Sequence, residues 1–349
     1  MKIVIVIGKA GLGGSERVAL NLSKWFNQQE RTHATVLALS KPTYNKYNLD
    51  GYDFVELHSK IPIWTLRKFV KQYKPDIVLS MGVPLCIFTV PALVGIKLKH
   101  VVSERNSPAN FAGTTATRIV ARLLMRFADG YVFQTKEAQE FYGGDIAKHS
   151  VIIHNPLFQF SEANPINRQL IYDEIVSVGR LNKQKNQKLI IEAFASVCHE
   201  FPSFVLKIYG DGPERENLQN LVNSMNLQKR VSLPGTTTDI FDKIKTASLF
   251  ILSSNFEGMP NALMEAMSLG LPCISTDCPC GGPHEIIQDG VNGMLIPVDD
   301  KKALVKSLRR MLSNLELRNK IGSNAMQIRH THSMDLICNQ WYKYFSSLL

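Results

Sequence analysis

Two glutamates, Glu257 and Glu265, stand eight positions apart within residues 253–266, Ser-Ser-Asn-Phe-Glu-Gly-Met-Pro-Asn-Ala-Leu-Met-Glu-Ala. Just before this stretch, Leu249, Phe250, Ile251 and Leu252 form an apolar run that reads as a buried strand. After it, Ala262, Leu263, Met264, Ala266, Met267 and Leu269 read as a packed helix ended by Gly270. Glu257 therefore falls on a strand-to-helix loop and Glu265 about two helical turns beyond it. Gly258, Met259, Pro260 and Asn261 supply a tight turn and a helix N-terminus between the two acids. Proline suits the first turn of a helix, where its missing N–H costs nothing. The N–H groups at such an end attract anions, phosphate above all. This layout can hold a phosphate on the helix end and offer carboxylates to a polyol on either side. The same spacing also fits one solvated glutamate at a helix start and another on a helix face.

The elements around this stretch alternate between strand and helix along the whole chain. Residues 3–7 are an apolar β-branched run, a buried parallel strand. A glycine-rich loop, Gly8 to Gly14, leads into an amphipathic helix from Ser15 to about Gln28. Further strands are expected at Thr35–Leu39, Phe54–Leu57, Asp76–Ser80, around Val101–Ser103, at Gly130–Gln134 and at Val151–His154, with a polar loop over 40–53. Residues 157–170 break every periodicity and read as a linker. The rhythm then restarts with strands at Ile175–Val178, Phe204–Tyr209, Val231–Leu233, Leu249–Leu252 and Pro272–Ser275, and helices at Lys188–His199, 214–226 and Ile240–Lys245. Strands alternating with helices mean parallel sheets. The expected architecture is α/β, with a first Rossmann-like domain over 1–160 and a second over 170–330, facing across a cleft.

Bulk properties narrow the possibilities. The 349 residues carry a net charge of +10, and residues 1–165 hold 20 Lys and Arg against 12 Asp and Glu. A basic first half suggests an anionic partner, whether nucleic acid, a phosphorylated substrate or an acidic membrane face; a generic solubility charge is the plain alternative. The segment from Trp64 to Tyr73 interleaves Arg67, Lys68 and Lys71 with apolar residues, and Arg118, Arg122 and Arg126 recur at helical spacing of four. A basic apolar helix can lie on an anionic membrane, or it can be a core helix with a solvated rim. Met1 to Gly8 is too short for a signal peptide. Residues 83–96 are the most apolar, yet they contain Pro84 and Pro91 and fall short of the roughly 20 residues of a membrane span. The six cysteines show no paired framework and fit a reducing compartment. Cys273, Cys278 and Cys280 lack partners at zinc spacing, so no metal is expected.

Glu257, seven residues and Glu265, set between a strand and a helix, resemble the paired-glutamate motif of retaining GT-B glycosyltransferases of the glycosyl transferases group 1 type (family 4). These enzymes move sugars from nucleotide-sugars. The resemblance implies that Glu257 contacts hydroxyls of the donor sugar and Glu265 holds the nucleotide ribose, with Gly258, Met259, Pro260 and Asn261 lining the donor. Gly13-Gly14-Ser15-Glu16-Arg17 is similar to the family's glycine loop, in which Gly13 and Gly14 admit the donor diphosphate; a plain tight turn into a helix is the alternative. Gly179-Arg180 with Lys185 resembles the family's donor-phosphate pair. Arginine's planar fork and lysine's point charge could stabilise a departing diphosphate without metal. Gly210, Asp211 and Gly212 match a loop beside the nucleotide base, and Gly235 with Thr236–Thr238 follows at the same sheet edge. Thr276-Asp277-Cys278-Pro279-Cys280-Gly281-Gly282-Pro283 resembles a loop of bacterial hexosyl- and N-acetylhexosaminyltransferases. Many relatives read Ser-Glu-His where this chain has Ser103-Glu104-Arg105; a permanent cation there favours an anionic neighbour over proton transfer.

The resemblance extends over nearly the whole chain and implies that the last segment, about 331–349, crosses back to the first domain. It further implies a UDP-hexose or UDP-N-acetylhexosamine donor, no cofactor, a polyprenyl-diphosphate-linked acceptor and a peripheral position on the cytoplasmic face of the inner membrane. Two other classes can be set beside it. A GT-B epimerase or phosphorylase would share the fold, and a nucleic-acid-binding protein would share the charge, but the chain lacks an aromatic-basic nucleic-acid signature.

Overall fold

The structure, a computed structural model, describes residues 1–9, 13–40, 49–57, 59, 61–110, 113–158 and 172–349. Parts of the glycine loop (10–12), of the polar loop (41–48) and most of the expected linker (159–171) lie outside the described residues. The chain divides into two units, Met1–Pro156 with Met334–Leu349, and Leu157–Ser333.

Unit 1 runs β1 (Lys2–Lys9), α1 (Gly14–Phe26), β2 (His33–Ser40), β3 (Phe54–Glu56), α2 (Pro62–Tyr73), β4 (Ile77–Met81), α3 (Cys86–Leu93), β5 (Lys99–Ser103), α4 (Thr115–Met125), β6 (Gly130–Phe133), α5 (Lys136–Tyr142), α6 (Gly144–Lys148) and β7 (Ser150–Ile152). Its sheet is parallel, in the order β3-β2-β1-β4-β5-β6-β7. The central strand β1 is buried on both faces from Ile3 to Ile7, as a parallel strand between helix layers must be. Unit 2 continues with β8 (Tyr172–Val178), α7 (Gln187–Val197), β9 (Val205–Tyr209), α8 (Arg215–Ser224), β10 (Val231–Gly235), α9 (Ile240–Ile244), β11 (Ala247–Leu252), α10 (Asn261–Ser268), β12 (Cys273–Thr276), α11 (Gly282–Ile286), β13 (Met294–Ile296), α12 (Lys301–Ser313), α13 (Leu315–Ala325) and α14 (Ile328–Thr331). Its parallel order is β10-β9-β8-β11-β12-β13.

The last helix, α15 (Met334–Leu348), belongs to unit 1. Phe345 stacks on Phe26 of α1 with centroids 5.8 Å apart. Trp25 Nε1 donates to Asp335 at 2.7 Å, and the Tyr131 N–H donates to the Tyr344 hydroxyl at 3.0 Å. A Cβ at Gly130 would meet the Tyr344 hydroxyl, so a side chain there would displace it.

Several elements differ from the sequence expectation. Residues 83–96, marked only as apolar, contain a 3-10 turn (Val83–Leu85) and α3, with Pro91 inside the helix. Pro260 caps α10 from outside, and Asn261 takes its first position. The expected stop is present: Leu269 is the C-cap and Gly270 follows at φ +74°.

Candidate active site

In an open parallel sheet, the order of strands reverses at one place, and loops at the carboxyl ends of the flanking strands diverge to leave a crevice. In unit 2 that place lies between β8 and β11. The β8 loop carries Arg180 and Lys185, and the β11 loop carries Glu257.

Lys185 Nζ pairs with Glu257 Oε1, and Ser254 Oγ donates to the same oxygen at 2.5 Å. Glu257 is buried and Lys185 mostly so. The two loops are tied along their length. Asn255 N donates to Gln184 O (2.7 Å), Gln184 Nε2 to Phe256 O (3.0 Å) and Asn255 Nδ2 to Lys183 O (2.9 Å). Ser253 Oγ lies 2.8 Å from Lys185 O and 2.9 Å from Asn186 O. On its other side the β11 loop is fixed to the loop after β12. Glu257 N donates to Pro279 O (2.6 Å), Cys280 N to Glu257 O (2.8 Å), and Thr276 Oγ1 to Ser254 O (2.6 Å). Gly282 packs on the Gly258 carbonyl, where no side chain fits. Three neighbouring loops thus hold one carboxylate rigidly.

Gly210 and Gly212 have a structural reason to be glycine. Both have positive φ, +136° and +158°, and a Cβ at either would run into the Gly179 or Leu181 carbonyl. Asp211 between them is exposed and accepts from the Gly212 N–H at 2.8 Å. Met259 is buried, and the Leu263 and Met264 N–H groups both turn back to the Pro260 carbonyl at 3.1 Å. Glu265 is buried within α10. Arg180 is exposed, its carbonyl held by Gln187 Nε2 at 2.9 Å. The structure therefore brings Lys185 and Glu257 together and leaves the Arg180 side chain at the surface of the same loop.

Unit 1 gathers a second polar group at the carboxyl ends of β5, β6 and β7. Arg105 donates to Asn155 Oδ1 through Nη2 and to Ser103 Oγ at 3.3 Å through Nη1, while its Nε is buried with no hydrogen-bond partner among the described residues. Gln134 Nε2 donates to the same Asn155 oxygen at 2.6 Å. Glu104 is buried and accepts from Tyr142 Oη (2.9 Å), Arg105 N (2.9 Å) and Asn106 N (3.1 Å). Burial raises the Glu104 carboxyl above its usual range, against the pull of these donors and of Arg105. Burial likewise brings Arg105 down to about 9, although Glu104 opposes the shift, so the guanidinium is still cationic at neutral pH. Its acidic neighbour within the chain is Glu104. Sequence reasoning quoted Glu104 only inside a motif and passed over Gln134, Tyr142, Asn155 and Ser254. The four in unit 1 come together with Arg105 only through the sheet, at separations of up to 50 positions, whereas Ser254 lies three positions from its partner Glu257 in unit 2.

At the first helix, Gly13 is the N-cap of α1, and Glu16 folds back so closely that a side chain at 13 would strike its carboxylate. The Glu16 carboxylate lies beside that N-cap and accepts from Ser15 Oγ at 2.9 Å.

Two doubly wound parallel sheets, each followed by its own helix layer, with the chain end returning to the first unit, define the GT-B class of fold. Residues 162–328 match the family of glycosyl transferases group 1. The chain is similar to a lipopolysaccharide 1,6-galactosyltransferase of Escherichia coli, with 26% identity covering 90% of this chain and 89% of the relative. It is also similar to a Campylobacter jejuni alpha-1,4-N-acetyl-D-galactosaminyltransferase whose name specifies a diNAcBac-PP-undecaprenol-linked saccharide, with 24% identity covering 98% of each chain. Among solved structures, Anabaena HepE in complex with UDP-glucose superposes with a TM-score of 0.86 at 20% identity, covering 99% of this chain and 100% of that one. The chain thus matches the group 1 glycosyltransferases over residues 162–328 and has the GT-B fold.

Proposed function

We propose that this protein transfers a hexose or N-acetylhexosamine from a UDP-sugar to a lipid-linked saccharide in the assembly of a bacterial glycan, with retention of configuration and without metal. The observation that carries the reading is the Lys185–Glu257 pair at the point where the unit 2 sheet reverses its strand order. The names of the galactosyl- and N-acetylgalactosaminyltransferase relatives and the UDP-glucose in the HepE complex support the donor class. The undecaprenol-linked saccharide in the Campylobacter relative's name supports the acceptor class.

In this reading Glu257 binds hydroxyls of the donor sugar and Glu265 the ribose. Lys185 and the exposed Arg180 take up the negative charge that grows on the diphosphate as it leaves. The bond between the anomeric carbon and the β-phosphate oxygen breaks, the acceptor oxygen bonds to the same face of that carbon, and the acceptor's proton passes to the departing phosphate. Arg105 in unit 1 is assigned to an anionic group of the acceptor, its diphosphate. The test is UDP release from a panel of nucleotide-sugars by the wild type and by Arg180→Ala and Glu257→Gln. Loss of release in both variants is expected; equal release by Arg180→Ala would remove the phosphate assignment.

A further inference from the structure

The cations at the carboxyl edges of the two sheets are held in opposite ways. In unit 2, Lys185 is matched by the buried Glu257 carboxylate. In unit 1, the Arg105 guanidinium is matched by neutral groups. Nη1 donates to the Ser103 hydroxyl and Nη2 to the Asn155 side-chain oxygen, so two of its five N–H groups are engaged. Nε is buried and has no hydrogen-bond partner among the described residues. Glu104, the acid next to it in the chain, uses its oxygens elsewhere. Oε1 takes the Arg105 and Asn106 N–H groups, at 2.9 and 3.1 Å, and Oε2 takes the Tyr142 hydroxyl at 2.9 Å. Among the described residues no carboxylate pairs with the guanidinium. Arg105 as a whole is half-buried rather than enclosed, so an anion can reach N–H groups that the protein leaves unused.

Asn155 is the pivot of this arrangement. It is buried just after β7, and Gln134, also buried, follows β6 directly. Gln134 Nε2 donates to the same Asn155 oxygen at 2.6 Å. Two donors converging on one atom identify it as the amide oxygen rather than the nitrogen. Gln134 thus fixes the oxygen, and the oxygen fixes Arg105. Glu104 holds the backbone on which the arginine stands, and Tyr142, its partner, stacks on Phe133 of β6 with centroids 5.2 Å apart. Side chains from the ends of β5, β6 and β7 therefore orient one guanidinium without cancelling its charge. An aspartate at 155 would offer the same acceptor and would also neutralise the cation. With a neutral amide there, the guanidinium keeps its unit charge and its planar fork of donors, which suits a phosphate oxyanion.

We infer that Asn155 is a positioning residue that aims Arg105 and keeps it charged for the acceptor's diphosphate. This deepens the proposed function, on which it rests only for the identity of that anion. The test follows the Nε–H resonance of Arg105 by hydrogen–nitrogen correlation NMR of the full chain with saturating UDP. The resonance is assigned with Arg105→Lys and then titrated with inorganic pyrophosphate and, separately, with farnesyl diphosphate. Both should shift it in the wild type. Asn155→Asp should weaken both about thirtyfold, or about 2 kcal/mol, the scale of a hydrogen bond to a charged group. Its thermal melt should stay at or above that of the wild type, because an ion pair replaces a neutral contact. A merely structural asparagine would instead lose stability and binding together. Asn155→Ser, neutral but shorter, should broaden the resonance and weaken binding only severalfold. No shift in the wild type, or binding by either variant equal to the wild type, would overturn the inference. So would a shift with pyrophosphate but none with farnesyl diphosphate, since the site would then serve a free anion. A wild-type shift with both ligands, but no UDP release from any nucleotide-sugar, would sink the transferase reading and leave the anion site in place.

Discussion

Lys185, on the loop after β8, reaches the buried carboxylate of Glu257 on the loop after β11, and Ser254 shares the same oxygen. A lysine assigned to the donor's phosphates is therefore already neutralised by the acid assigned to the donor's sugar. The pair orients both groups before any ligand arrives, which is how a rigid site spends its ordering entropy during folding. Breaking such a pair costs more than removing it whole, because an unpaired charge is left buried. Lys185→Met should lower stability by about 3 kcal/mol. Lys185→Met/Glu257→Gln should recover most of that loss, since glutamine retains the Ser254 hydrogen bond without charge. Urea midpoints for the two single variants and the double one give the coupling directly; additive losses would mean that the ion pair contributes nothing.

Glycines at the carboxyl edge of unit 2 divide into two kinds. Gly210 has no room for a Cβ against the Gly179 carbonyl, whereas Gly235, also at positive φ (+91°), faces open space. Gly210→Ala should destabilise by about 1–3 kcal/mol through overpacking and should loosen the Arg180 loop. Gly235→Ala should cost only the backbone term, about 1 kcal/mol. Thermal melts in the presence and absence of UDP would check this, with Gly210→Ala expected to lose UDP stabilisation and Gly235→Ala to keep it.

The C-terminal helix completes unit 1. Phe345 and Trp341 are fully buried, and Phe345 stacks on Phe26. Phe345→Ala should lower stability by about 3–5 kcal/mol, the range for a buried phenylalanine. Unchanged urea unfolding would show that α15 detaches without consequence for the unit it joins.

How much of this was legible follows from the physical range of each signal. Continuous apolar runs such as Leu249–Leu252 and Ile3–Ile7 announced the central strands, because a parallel strand buried on both faces has no alternation to disguise it. The α3 helix was hidden by Pro84 and Pro91, which argue against a helix locally, although packing on α2 and α4 overrides them. Motif spacing put Arg180, Lys185, Glu257 and Glu265 into one half of the chain. It carried no hint that Lys185 pairs with a residue 72 positions away, or that Arg105 is held by Asn155 across β6 and β7. On α4 the period of four was read correctly, but period alone does not tell which stripe faces out; Pro108 and Ala109, whose carbonyls take Arg122 and Arg118, lie on a loop with no periodicity.

His100 gives the clearest dependence on pH. It is buried in β5, with its backbone N–H on Asp129 at 2.8 Å and its Nε2 sharing a hydrogen bond with Ser80 Oγ at 2.9 Å. Ser80 Oγ donates to Thr89 Oγ1 at 3.1 Å, and Thr89 to Leu85 O at 3.1 Å, so the relay runs outward from a neutral imidazole that donates from Nε2. Burial lowers its pKa from 6.5 to about 4, against the charge of Asp129. The unfolded chain therefore binds a proton that the folded chain refuses between those two values. Stability is fully present above pH 6.5 and is lost as the pH falls toward 4. The shift corresponds to about 3 kcal/mol when complete. Urea midpoints measured from pH 7.5 down to 4.5 should fall steeply for the wild type and more shallowly for His100→Gln, which can still donate to Ser80 but cannot take up the proton. Parallel curves for the two proteins would assign the acid sensitivity to another group.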